Sequence, residues 1–211
     1  MMTLPLAPLR MFCTLLALVL TIVSVSPISL SAAEISPPDQ AKLNKYGQHG
    51  GPFSLIDQTG KAVRDSDFKG KYMLVFFGYT FCPDICPTAM QTVSDSLDLL
   101  GDVGQDIQPI FITLDPERDT SKVLADFTSN FSPRIIALTG DRQAINALAK
   151  DYGVKFERDE TAVQSGDPYY LINHSVATYV MNREGRFLVF FPAGVSAQDM
   201  ARNLRKIVKN Y

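Results

Sequence analysis

A chain of 211 residues, 46% of them hydrophobic, is long enough to bury one full core. Its 20 basic and 22 acidic side chains leave a formal charge of −2, too balanced for a nucleic-acid-binding surface, and no biased or repeated tract marks disorder or a solenoid. Nucleic acid is therefore not an expected partner, and function rests on local motifs.

The first 33 residues stand apart. Arg10 precedes an uncharged run, MFCTLLALVLTIVSVSPISL, and Ser31, Ala32 and Ala33 offer the small residues that a signal peptidase accepts before Glu34. The run also reaches the roughly 20 residues that a membrane-spanning helix needs. Residues 1–33 thus read as a cleaved signal peptide or a retained membrane anchor, and the domain that follows is expected in an extracytoplasmic, oxidising compartment. Cys13, inside that run, reads as a passive apolar residue. Residues 34–51 are polar and punctuated by Pro37, Pro38, Gly47, Gly50 and Gly51, which predicts a tether, with His49 as a solvated loop residue. The folded unit is expected over residues 52–211.

PFSLID reads as a strand, and YMLVFFGY, apolar on both faces, as a central one. GYTFCPDICPTAM follows at its exit and opens a helix over residues 84–100, with Ile85, Met90, Val93, Leu97 and Leu100 turned inward and prolines confined to its first turn. IQPIFITL, SKVLADFTSNF, RIIAL and DRQAINALAKDYG then alternate strand and helix. YYLIN and SVATYVMN read as further strands, REGR as a hairpin turn needing positive φ at Gly185, FLVFF as the last strand and residues 197–209 as a closing amphipathic helix. The pattern predicts an α/β fold, a mixed central sheet flanked by helices, with the cysteines at the carboxyl end of a central strand where ligand chemistry concentrates. Phe76, Phe77, Phe111, Phe190 and Phe191 are expected in the core, as are Met73, Met90 and Met181; Arg202, Arg205, Lys206 and Lys209 form a solvated helix face.

Outside the leader only Cys82 and Cys86 remain. A bridge closing so short a ring removes little chain entropy, so stability alone explains it poorly. A helix start lowers thiolate pKa, and if residues 82–86 were helical the spacing of four would turn both side chains to one face. Such a pair forms a disulfide reversibly, binds a soft metal such as Cu(I) or zinc, or alternates between the two. His174, at a strand junction, is either a hydrogen-bonded structural residue or the third ligand that a metal would need.

GYTFCPDICP, with LDPERDT at 114–120, PRIIALTG at 133–140 and NHSVATYVMNREGRF at 173–187, resembles the Sco (SenC/PrrC) family of copper-binding, thioredoxin-like proteins that assist assembly of cytochrome c oxidase. The resemblance runs from Gly51 to the C-terminus. It implies a thioredoxin-like fold and copper held by Cys82, Cys86 and His174, as Cu(I) and also as Cu(II) with an added oxygen ligand. It further implies an upstream copper donor, delivery to the CuA site on the copper-binding subunit of cytochrome c oxidase, and a place on the periplasmic side of the inner membrane, anchored or secreted. The same family permits a thiol–disulfide oxidoreductase in which Cys82 and Cys86 share the attacking and resolving roles. A peroxidase is a third reading, since Thr80 precedes Cys82 at a helix start, but no peroxide-activating arginine motif accompanies it. Many relatives carry Asp where this chain has Asn173, and Asn hydrogen-bonds without lending charge to the neighbouring imidazole. Asp115, Glu117, Arg118 and Asp119 match the family pattern and read either as a solvated loop capped by Asp119 or Thr120, or as a partner contact.

Overall fold

In a computed structural model of the protein, residues 49–166 and 168–210 are described; the expected leader, residues 1–33, and the tether up to residue 48 lie outside them. Among the described residues no helix is long and apolar enough to cross a membrane.

Strand β1 (Ser54–Asp57) turns back on β2 (Ala62–Arg64), and β3 (Tyr72–Gly78) follows with all seven residues buried. Helix α1 (Ile85–Leu100), β4 (Ile107–Thr113), α2 (Ser121–Thr128), β5 (Ile136–Thr139) and α3 (Arg142–Asp151) complete the alternating part. A short strand β6 (Phe156–Arg158), helix α4 (Glu160–Ser165) and strand β7 (Ile172–His174) come next, then β8 (Ala177–Met181), β9 (Phe187–Pro192) and α5 (Ala197–Asn210). The main sheet runs β2-β1-β5-β4-β3-β8-β9, parallel across β3, β4 and β5 and antiparallel at both flanks.

Alternation along β3 splits the core in two, as a strand covered on both faces requires. Tyr72, Leu74 and Phe76 face α1 and α5, where Met90, Val93, Leu97, Met200 and Leu204 pack, while Met73, Val75 and Phe77 face α3 through Ile145, Leu148 and Ala149. The REGR hairpin forms as expected: Gly185 has φ of 77° and its N–H donates to the Asn182 carbonyl at 2.9 Å.

Four local expectations need correction. Ile85 is 37% exposed, and the buried stripe of α1 runs through Cys86 instead, because Cys86 is four residues before Met90 and on its face, whereas Ile85 is five before it and turned away. Phe190 is 44% exposed, since β9 is an edge strand and that side chain lies on its open face. YYLIN does not join the main sheet; its end, β7, pairs antiparallel with β6 in a separate two-stranded sheet, with Phe156 opposite His174 and Glu157 opposite Asn173. His49 is not a solvated loop residue: its ring lies 4.8 Å from that of Phe187, and Nδ1 donates to the Tyr152 carbonyl at 2.7 Å. Met73, Met90 and Met181 are buried, and Arg202, Arg205 and Lys209 are exposed.

The contact between α1 and α5 makes a direct test of the core. Leu97→Ala removes a side chain only 3% exposed, with an expected loss of about 2–5 kcal/mol in urea unfolding. Leu99→Ala, at a position 45% exposed on the same helix, is expected to shift stability by no more than about 0.5 kcal/mol.

Candidate metal centre

Cys82 and Cys86 meet without sharing a helix. The chain turns after β3, with the Cys82 N–H donating to the Tyr79 carbonyl at 3.3 Å, and α1 begins only at Ile85. Asp84 occupies the N-cap position with no side-chain capping bond. Instead the Cys86 N–H donates to Cys82 Sγ at 3.4 Å, so a sulfur satisfies a first-turn amide that would otherwise lack a partner. The shared helical face expected for the pair is thus replaced by a pre-helical turn. Pro87 sits in the first turn of α1, where its missing N–H costs nothing.

Cys86 is fully buried beneath the end of β3, and Cys82 is 9% exposed. A Cβ added to Gly78 would lie 2.9 Å from Cys86 Sγ and 2.8 Å from the Phe76 ring. Glycine is needed there for close approach of backbone to sulfur.

His174 comes from β7, and its Nε2 lies 3.5 Å from Cys86 Sγ. Its ring stands edge-on to Phe76 at 6.3 Å and to Tyr79 at 6.1 Å. Nδ1 is 3.0 Å from the Ser175 carbonyl, which can only accept, so Nδ1 carries a proton, and Nε2, turned toward the thiols, is the nitrogen left to coordinate a metal. A backbone carbonyl that fixes the tautomer in this way is the usual support for a metal-binding histidine. An open polar cleft lined by Lys155, Glu157, Asn173 and Ser175 brings solvent to the ring.

Both thiols are free, and their environments separate them. The hydrogen bond from the Cys86 thiol lowers Cys82 from 9.0 to about 5 against the opposing effect of burial, with help from the Asp84 and Cys86 amides and from His174. Cys86 is pushed up, because it donates to Cys82 and is buried. Cys82 is therefore the thiolate and Cys86 the thiol of the pair.

Two soft sulfur atoms and an imidazole lone pair suit Cu(I) or zinc in a low-coordinate site. Among the described residues no three His, Cys, Asp or Glu side chains already close around a common point. Cys86 touches each of the other two, so convergence of all three requires the Cys82 and His174 side chains to close on a common point.

Several contacts around the site were not expected from the sequence. The Tyr79 hydroxyl accepts from the Ile172 N–H at 3.3 Å, tying the cysteine turn to β7, and Phe76 and Tyr79 wall the imidazole. Each reads in sequence as an ordinary strand aromatic. Asp115 and Asp119 are both fully buried, so the solvated loop expected at 114–120 is corrected; Thr120 alone caps α2, accepting from the Val123 N–H. Asp119 turns inward and accepts from the Thr80 N–H at 3.0 Å, the Thr80 hydroxyl at 2.5 Å and the Thr113 hydroxyl at 2.6 Å. Burial raises its pKa despite these bonds.

A mixed sheet flanked by helices, with a dithiol where the central strand gives way to a helix, defines a thioredoxin-like protein. The SCO1/SenC profile matches residues 41–209, and the chain belongs to that family. Protein sco1 of Schizosaccharomyces pombe is 42% identical over 156 residues, covering 74% of this chain and 59% of its own length. Protein SenC of Rhodobacter capsulatus is 40% identical over 154 residues, 73% of this chain and 68% of that protein. The copper-bound structure of ScoI from Bradyrhizobium japonicum superposes with a TM-score of 0.68 at 39% identity, covering 75% of this chain and 98% of that one.

Two measurements follow from this geometry. Thiolate absorbance of the reduced protein is expected to persist on acidification until pH approaches about 5 and to fall below it; in Cys86→Ala, which removes the thiol donor, the midpoint moves up toward the ordinary 9.0. A midpoint unchanged by that substitution would show that the pair is not hydrogen-bonded. Gly78→Ala forces carbon against Cys86 Sγ and the Phe76 ring, with an expected cost of about 1–3 kcal/mol in urea unfolding.

Proposed function

We propose that the protein is a copper chaperone that binds one copper ion through Cys82, Cys86 and His174 and delivers it to the copper-binding subunit of cytochrome c oxidase during assembly. The observation that carries this reading is that Cys86 meets both other residues, its N–H donating to Cys82 Sγ and its sulfur lying 3.5 Å from His174 Nε2, in a chain of the SCO1/SenC family whose relatives have been solved with copper bound. A dithiol built for exchange alone has no need of an imidazole with its free nitrogen turned to the sulfurs.

Copper is cargo here. Deprotonated Cys82 supplies the first sulfur at neutral pH, and Cys86 loses its proton as the ion arrives, so binding releases protons. Cu(I) is satisfied by two sulfurs and one nitrogen, while Cu(II) recruits an oxygen ligand toward a tetragonal set. Stepwise exchange onto the thiols of the acceptor completes delivery. The site then faces the extracytoplasmic side of the membrane, and a second protein supplies the metal.

Thiol–disulfide exchange is the second reading, and the low pKa of Cys82 favours it, because a thiolate is the attacking species. In that role the protein reduces the cysteines of the oxidase copper site before metal arrives. The two readings differ at His174. In an anaerobic Cu(I) competition titration of the reduced protein, one-to-one binding is expected to weaken by about 10-fold or more in each of Cys82→Ser, Cys86→Ser and His174→Ala. Binding indifferent to His174, together with a reduction potential close to that of the compartment, would instead establish the exchange role.

A further inference from the structure

The loop between β4 and α2 has no part in the copper site, yet it holds both segments that carry the ligands. On one side Asp119 grips Thr80, two residues before Cys82. On the other, buried Asp115 accepts from the Tyr170 hydroxyl at 2.6 Å, four residues before His174, and is ion-paired with Arg118.

Arg118 spans the two sides. Its guanidinium carbon lies 3.5 Å from the centre of the Tyr170 ring and 4.8 Å from that of Phe81, the residue next to Cys82. Nη1 donates to the Pro168 carbonyl at 2.9 Å. The side chain is only 12% exposed, so these contacts are made largely out of water, where planar stacking on aromatic faces is strong. One planar cation therefore clamps the cysteine turn to the segment that leads into β7. The direct ties between those segments include the Tyr79 hydroxyl to the Ile172 N–H, the Tyr79 ring against His174 and the meeting of Cys86 with His174 itself.

We infer that Arg118 is a positioning residue for the copper site: seated on Asp115 between Phe81 and Tyr170, it fixes the distance between the cysteine turn and His174. The inference rests on the copper-chaperone reading. Since the three donors are not yet closed around one point, the spacing of the two segments decides what closure costs, and the clamp keeps that cost low. Lysine at 118 keeps the charge beside Asp115 but loses the plane that stacks on two rings and the fork that reaches Pro168.

The test is a double-mutant cycle on the full 211-residue chain, with Arg118→Lys and Tyr170→Phe each made alone and in the His174→Ala background. Tyr170→Phe keeps the stacking ring and deletes one hydroxyl, so it remains informative if Arg118→Lys fails to fold. Cu(I) affinity is expected to fall roughly 10-fold or more in each single variant. Once His174 is absent, the same substitutions are expected to change affinity by no more than about twofold, because they act through it. A loss of full size in the His174→Ala background would mean general damage and would overturn the inference, as would wild-type affinity in both single variants. Nuclear Overhauser contacts from the His174 ring to Phe76 and Tyr79 in the metal-free protein give an independent readout. If the wild-type chain binds no copper, the chaperone reading falls, and the clamp stands or falls on whether those contacts are lost in Arg118→Lys.

Discussion

The seat of the Cys86 sulfur beneath the end of β3 is the constraint on which the site depends. A parallel strand running into a helix leaves its last residues and the first helical turn facing the same small volume. Gly78 clears that volume, Phe76 and Phe111 wall it, and Cys86 fills it with no exposed surface. From there the other features follow by contact. Cys82 has a thiol to accept from, the first turn of α1 gains a sulfur cap in place of the usual oxygen, and His174 has a sulfur for its free nitrogen to face. Because Cys86 is held by the core, the two more accessible donors are the ones that can move.

That asymmetry bears on how a chaperone releases metal. A site closed on all sides by rigid elements binds tightly and exchanges slowly; a site with one anchored donor and two on turns loses ligands one at a time. Here β7 belongs to a two-stranded sheet outside the main one, and the Cys82 turn precedes its helix, so neither shares the stiffness of β3 and β4. Under the proposed function, transfer starts at Cys82 or His174, and Cys86 lets go last. The same arrangement suits dithiol exchange, in which the low-pKa outer sulfur attacks and the buried inner one resolves. One geometry therefore serves both chemistries up to the histidine, which only the metal requires.

Much of this was legible in the chain, and the reasons are specific. YMLVFFGY announced a strand covered on both faces because it carries no polar residue to place outside, and REGR announced a hairpin because Gly185 is the residue that takes φ of 77° without strain. Cys82, Cys86 and His174 were singled out by motif and resemblance, and the fold places Cys86 against each of the other two. What the sequence hid were features set by tertiary contact. β2 and β6 have only three residues each, too few to show a period, and exist because a neighbour supplies the register. Ile85 reads as inward-facing on its apolar character, although Cys86 is the residue at helical spacing from Met90.

The LDPERDT stretch shows the deepest form of that difficulty. Five of its seven residues are polar or charged, which by composition reads as surface. Buried carboxylates survive only when their oxygens are engaged, and here Thr113 and Arg118 are near in the chain while Thr80 and Tyr170 come from distant parts of it. No local pattern encodes a carboxylate whose donors lie up to 55 residues away. Leaving any of those carboxylate bonds unmade in the interior is costly, so the stretch is held to both neighbouring segments as an ordered link and not as a solvated loop. Placed between the turn that carries Cys82 and the segment that leads to His174, that network limits how far apart the two backbones stand while leaving the side chains free to move, which is what a metal site that must both close and release would require under the proposed function.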